Sequence, residues 1–276
     1  VSEVREMVCL RGAAKTFNAG TPEEVRPLRG IDLVIADGDF VVVLGGNGSG
    51  KSTLLNALAG VFRLDEGSIE IDGTDVTSWP EHKRARLVGR VFQNPFSGTA
   101  PFMSIAENFA MAARRGRVRG LGWALSRGFR DELGDRVRSL RMGLEDRIDT
   151  AIGSLSGGQR QALTLLMATW LKPKLLLLDE HTAALDPSSA EQVLALTQSI
   201  VAEHGLTTLM VTHAMSQATS FGNRIVMMHK GSVLHDVSGA DKRRLRVEDL
   251  LGRFEDVRRR ELLDESAARL LAETYV

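Results

Sequence analysis

The chain has 276 residues, and 35 Lys and Arg balance 35 Asp and Glu, so its formal net charge is zero. That length suits one large domain, or one domain carrying an insert, with interior enough to need no covalent staples. Neutral charge argues against a general affinity for nucleic acid. With Cys9 as the only cysteine, no internal disulfide can form and a reducing cytosolic setting is expected.

In chain order, the charged residues 1–6 lack the apolar stretch of a signal peptide. No apolar run further on approaches the roughly 18 residues that span a bilayer, so a soluble chain is expected, with any membrane role exerted through a partner. Val8-Cys9-Leu10, residues 31–35 and Ile69-Glu70-Ile71 read as short, partly alternating strands, with Asp37-Gly38 and Asp72-Gly73 as turn dipeptides beside them. They predict an antiparallel layer. Val41-Val42-Val43-Leu44 is a continuous apolar run that ends in glycines. Leu175-Leu176-Leu177-Leu178 and Leu209-Met210-Val211 are two more, ending in Asp179-Glu180 and Thr212-His213. Runs without alternation suit parallel strands covered on both faces, and such sheets hold ligands at the carboxyl ends of their strands.

From about Pro95 to Arg147 strand signals fade, and residues 103–113 and 129–140 read as helices of an insert. No Asp or Glu lies between Asn108 and Phe129, whereas Arg114, Arg115, Arg117, Arg119 and Arg127 do, with Arg130 just beyond. Gly116, Gly120 and Gly122 interrupt any helix there, so a basic loop over 114–130 is expected. Beyond Asp241 the tail is charge-rich, and the spacing of Leu245, Leu250, Leu251, Phe254 and Val257 predicts one or two amphipathic helices.

Three segments carry chemistry. Gly45-Gly46-Asn47-Gly48-Ser49-Gly50-Lys51-Ser52, followed by Thr53, matches the pattern of a phosphate-binding loop. Its glycines let successive backbone N–H groups face a phosphate, and a helix starting near Lys51 adds its positive end. Lys51 would reach the outer phosphates and Ser52 would offer a hydroxyl to Mg²⁺. A chance match in a chain this long is on the order of one in a hundred. Asp179-Glu180 closes the second apolar strand. Asp179 suits the metal side, and Glu180, pointing elsewhere, suits polarising an attacking water. Leu155-Ser156-Gly157-Gly158-Gln159 precedes an apolar helical stretch, with Ser156 placed to cap it and the glycines exposing backbone donors.

Together these residues resemble the ATP-binding subunits of ABC transporters, over residues 8–237. Leu155–Gln159 is similar to that family's signature motif. Gln93 resembles the Q-loop glutamine that touches Mg²⁺ and the attacking water, Asp186 the D-loop aspartate, His213 the switch histidine on the γ-phosphate, and Phe17 the aromatic that stacks on adenine. Two departures stand out: His181 replaces the proline usual after the glutamate, and Gly46 stands where Ser or Pro is common. His181 leaves φ free where proline would fix it.

The resemblance implies an α/β P-loop NTPase with a mostly parallel core sheet, an antiparallel β layer and an inserted helical subdomain. The ATPase domain would span 1–240, with the insert at about 95–170 and a helical tail over 241–276. It implies ATP and Mg²⁺, and a second ATPase subunit paired head to tail, so that each nucleotide lies between one chain's phosphate loop and the other's signature. It also implies permease subunits, a substrate-binding protein if the system imports, and a peripheral place on the cytoplasmic face of the inner membrane. The insert would face the permease, and its basic loop would meet coupling helices or anionic head groups, or be a solvated charged loop. His181 and residues 96–101 resemble ATPases of uptake systems for amino-acid-like solutes. The alternatives are an exporter ATPase, a soluble mechanical ATPase acting on nucleic acid or ribosomes, and a non-hydrolysing nucleotide switch.

Overall fold

The computed structural model describes residues 5–116 and 125–256. In chain order they form β1 (Glu6–Phe17), β2 (Val25–Ala36), β3 (Phe40–Gly45), α1 (Lys51–Ala59), β4 (Glu66–Ile71), β5 (Thr74–Asp75), α2 (Glu81–Arg84) and β6 (Val88–Val91). Then follow α3 (Ile105–Ala112), α4 (Arg127–Arg138), α5 (Gly157–Thr169), β7 (Leu175–Asp179), α6 (Pro187–His204), β8 (Thr208–Val211), α7 (Met215–Ser220), β9 (Arg224–His229), β10 (Ser232–Ser238) and α8 (Gly239–Arg244).

The three apolar runs become β3, β7 and β8 of a six-stranded sheet in the order β10-β9-β3-β8-β7-β6. Pairing is parallel from β9 through to β6, and β10 joins antiparallel at one edge. Alternation is hidden in these strands because both faces are covered. Val41 and Val43 belong to one buried cluster, and Phe40, Val42 and Leu44 to another; Leu175 and Leu177 separate from Leu176 and Leu178 in the same way. Each such side chain contributes roughly 1.5–3 kcal/mol by burial, so polar residues are pushed to the strand ends.

The expected antiparallel layer is a four-stranded sheet, β2-β1-β4-β5. It packs with α1 over the first cluster. Asp37-Gly38, with Gly38 at φ 78°, turns the chain from this sheet into β3 of the other.

The insert has its own apolar cluster, including Ile105, Phe109, Leu133, Val137 and Trp170. Its helices begin where serines cap them. Ser104 accepts from the Glu107 N–H in a capping box, and Ser126 accepts from the Phe129 N–H, which moves the starts from 103 to Ile105 and from 129 to Arg127.

The basic stretch is not one continuous loop. Arg127 and Arg130 lie on α4, and Arg130 pairs with Asp149 at 2.8 Å. Arg115 donates to the Ala168 carbonyl at 3.1 Å, and burial lowers its pKa. Arg117, Arg119, Gly120 and Gly122 lie outside the described residues, as does Val257. The tail forms α8 and a further helix over 247–256. Leu250 is fully buried in the second sheet cluster, with Leu245 and Phe254 packed beside it.

Candidate functional site

β3 delivers the chain, fully buried, to the loop, and α1 starts at Lys51. Gly48 and Gly50 hold left-handed backbone, at φ 74° and 101°. A Cβ at Gly50 would run into the Pro27 carbonyl, and one at Gly45 into Ser49 and the Met228 carbonyl. At Gly46 a Cβ would meet nothing within 4 Å among the described residues, so their packing does not demand glycine there. The Gly231 N–H donates to the Ser49 carbonyl at 3.0 Å and ties the loop to the turn between β9 and β10. Lys51 Nζ donates to the carbonyls of Gly45 and Gly46 at 2.8 and 3.0 Å, which holds the ammonium over the loop. Burial lowers its pKa, and Glu180 and Asp179 oppose that shift. A cavity of about 340 Å³ is lined by Pro27, residues 47–53 and Glu180.

The two carboxylates diverge at the end of β7. Asp179 Oδ2 accepts from Arg90 Nη2 at 3.2 Å. Burial pushes the Asp179 carboxyl up, and the Arg90 guanidinium works against that. Glu180 takes left-handed backbone, φ 43°, and its N–H donates to the Val211 carbonyl at 3.0 Å. Glu180 Oε2 lies 3.2 Å from Nδ1 of His213, an exposed residue just past β8. Strand register explains the meeting, since Asp179 pairs with Val211.

His181 is buried, with Nε2 3.1 Å from Thr197 Oγ1. The Thr197 hydroxyl already donates to the Val193 carbonyl at 2.7 Å, so Nε2 must carry the proton. Burial pushes the His181 pKa down to about 4.

Ser156 caps α5, with its Oγ accepting from the Gln159 N–H and its own N–H donating to Gln159 Oε1. Those two donors are thereby used within the chain, leaving the N–H groups of Gly157 and Gly158 at the helix start. Gly158 also serves packing: a Cβ there would stand 2.7 Å from Ser189 Oγ. Leu155 is buried in the insert's cluster. Asp186 caps α6 by accepting from the Ser189 N–H at 3.0 Å, and the start of α6 lies close to the start of α5, where Ser189 faces Gly158.

Sequence reading also singled out Gln93 and Phe17. Gln93 is exposed just past β6. Phe17 ends β1, edge-on to Phe62 at 5.3 Å, with Lys15 Nζ 5.5 Å from its ring centre. Neither lines the phosphate-loop cavity, and neither do residues 155–159 or Asp186. Within one chain, then, Lys51, Ser52 and Glu180 share a site with His213 beside it, while the second glycine motif lies elsewhere. Two residues at the site escaped sequence reading. Pro27 gives no local signal. Arg90 does give one, as a lone charge in the short strand Val88-Gly89-Arg90-Val91.

A parallel sheet with a glycine loop at the carboxyl end of β3, a buried lysine opening α1 and an acidic pair closing β7 defines a nucleotide-hydrolysing protein of the phosphate-loop class. The family model described as ABC transporter matches residues 28–183. A tyrosine transport ATP-binding protein of Clostridioides difficile is 41% identical over 90% of this chain and 99% of its own length. The lipoprotein-releasing system ATP-binding protein LolD 1 of Caulobacter vibrioides is 38% identical over 79% of this chain and 90% of its own. A solved dimeric ATP-binding cassette, bound to ADP and phosphate in a post-hydrolysis state, superposes with TM-score 0.72 at 29% identity, covering 84% of this chain and 98% of that one. The chain belongs to the ABC transporter family, as an ATP-binding subunit that hydrolyses ATP.

Proposed function

We propose that this subunit energises an importer of a small amino-acid-like solute, working as a head-to-tail homodimer on the cytoplasmic face of the inner membrane. The observation that carries the dimer is the separation just described: the phosphate-loop cavity and the signature helix start do not meet within one chain. A second copy would bring the free N–H groups at Gly157 and Gly158, on a positive helix end, to the open side of the γ-phosphate. The tyrosine-transport relative, matched over nearly its whole length, supports an amino-acid-like cargo over lipoprotein release.

In this reading Lys51 binds the outer phosphates, Glu180 polarises the attacking water, His213 contacts the γ-phosphate and orients Glu180, Asp186 lines the dimer interface, and Phe17 stacks on adenine. The Ser52 hydroxyl, the Asp179 carboxylate and the Gln93 amide oxygen are the hard donors that Mg²⁺ takes. Asp179 already faces one cation, Arg90. Among the described residues no cluster of three or more His, Cys, Asp or Glu could cage a metal, and Mg²⁺ bound by a few side chains completes its shell with water and phosphate. Bound there, it would offset charge on the phosphates.

No helix among the described residues is long and apolar enough to cross a membrane. A groove of about 330 Å³ between α2, β6, α3 and α5, lined by Ala85, Val88, Phe92, Met111 and Ala112 among others, is the surface we assign to the permease, with a substrate-binding protein on its far side.

Co-expressing two defective chains tests the shared site. Lys51→Ala and Ser156→Arg should each abolish hydrolysis. In a mixed dimer, one of the two sites combines an intact loop with an intact signature, so ATPase activity should return. If the mixture stays as inactive as either variant, the head-to-tail assignment fails.

A further inference from the structure

We propose that Arg90 is a positioning residue that holds the Asp179 carboxylate for the magnesium side of the nucleotide site. The proposal rests on the reading of Asp179 as the metal-side carboxylate.

Strands β3, β7 and β8 contain no basic residue, and β6 holds one, in a register that pairs Arg90 with Leu177 on β7. A cation in a covered strand is costly unless it meets an opposite charge. Arg90 meets Asp179 at 3.2 Å, with the two side chains only 13% and 16% exposed. Its guanidinium also lies over the Phe92 ring, 4.5 Å from the centre, and lines the groove beside β6. Arg90 Nε is buried without an acceptor among the described residues.

This arrangement is more than a strand-end ion pair. Arg90 Nη2 takes Asp179 Oδ2, which leaves Oδ1 as the oxygen for the metal's water. The Phe92 face restrains the guanidinium, and the Phe92 carbonyl is itself held by Gln161 Nε2 of α5 at 3.1 Å. The carboxylate is therefore oriented before nucleotide arrives, and ordering it costs nothing at the moment of binding. Arg90 acts through Asp179 and touches neither nucleotide nor water in this role.

Calorimetry of a non-hydrolysable ATP analogue binding to the full chain, with Mg²⁺ and with EDTA, tests the proposal. Arg90→Met should weaken Mg²⁺-supported binding about tenfold, the scale of one charge-assisted hydrogen bond, and leave binding in EDTA unchanged. Arg90→Lys keeps the charge without the planar fork and should lose part of that; it carries the test alone if the methionine variant does not fold. Asp179→Asn should sharply reduce the Mg²⁺ dependence, and adding Arg90→Met to it should change nothing further. Wild-type or tighter Mg²⁺-supported binding by the Arg90 variants, or equal loss with and without Mg²⁺, overturns the proposal. If Asp179→Asn keeps the full Mg²⁺ dependence, the reading of Asp179 falls and the proposal falls with it. If Asp179→Asn behaves as expected and the Arg90 variants do not, the proposal alone fails.

Discussion

His181 follows directly after Glu180, in the turn that leaves the carboxylate pair, and it is 2% exposed. Its Nε2 proton joins that turn to Thr197 in the middle of α6. A proline could not make this link. It would also disfavour the left-handed backbone at Glu180, since the residue before proline is pushed towards extended conformations. The link has a pH signature. The histidine titrates at 6.5 in an unfolded chain and at about 4 when buried. The unfolded state therefore takes up the proton first as pH falls through 6.5, and stability drops until the folded state is also protonated near 4. Over that window the loss is on the order of 3 kcal/mol. His181→Gln keeps a donor for Thr197 and cannot titrate. Denaturant melts of the Mg²⁺-free chain at pH 7 and pH 4.5 should show the wild type losing more stability than the variant. Equal losses would mean that His181 is solvated in the native state. The departure from proline was visible in the sequence, but its consequence was not, because Thr197 is 16 positions away and only the packing of α6 brings it near.

The same division between local and distant runs through the elements. The phosphate loop, the start of α5 and the strand-end acids were legible because their chemistry lies in contiguous backbone: a glycine's φ, a serine cap, an apolar run with a polar end. The caps at Ser104 and Ser126 are equally local, and they corrected the helix starts by two residues each. The far end of α1 was not legible. It stops at Gly60 in left-handed backbone, and its last carbonyls are served by Arg84, from α2. That guanidinium is 1% exposed and donates to the carbonyls of Ala57, Leu58, Thr77 and Trp79. Burial lowers its pKa to about 10, so it stays charged at neutral pH and meets the negative end of the helix that carries Lys51. A Cβ at Gly60 would press on the same guanidinium. Arg84→Met fills the space but strands several buried acceptors, at a cost of about 3 kcal/mol in urea unfolding. A loss under about 1 kcal/mol would show that water replaces the arginine and that α1 needs no such cap.

At the scale of the whole molecule, the covered sheet explains why residues 241–256 of the tail are part of the fold. Alternate residues of β3 and β7 face two clusters, so the strands that deliver the phosphate loop and Asp179 are stable only if both faces stay dry. The antiparallel layer and α1 cover one face. The other is covered by α5, α6 and α7 and, past α8, by the helix over 247–256. The leucine spacing announced an apolar stripe there, but periodicity cannot name the surface that receives it. Leu250 is fully buried among residues that include Val42, Ala218 and Ile225, and Lys242 Nζ anchors the approach by donating to the Thr219 carbonyl at 2.8 Å. Leu251, its neighbour, is 44% exposed. This adjacent pair makes a controlled comparison. Leu250→Asp loses a core leucine and buries a carboxylate, so it should cost about 3–4 kcal/mol and lower the thermal midpoint by roughly 10 °C in a domain of this size. Leu251→Asp should stay within about 0.5 kcal/mol of wild type. ATP binding should survive in both variants below their midpoints, because neither residue lines the nucleotide cavity. Equal destabilisation by the two substitutions would show that the helix over 247–256 does not pack on this face through Leu250.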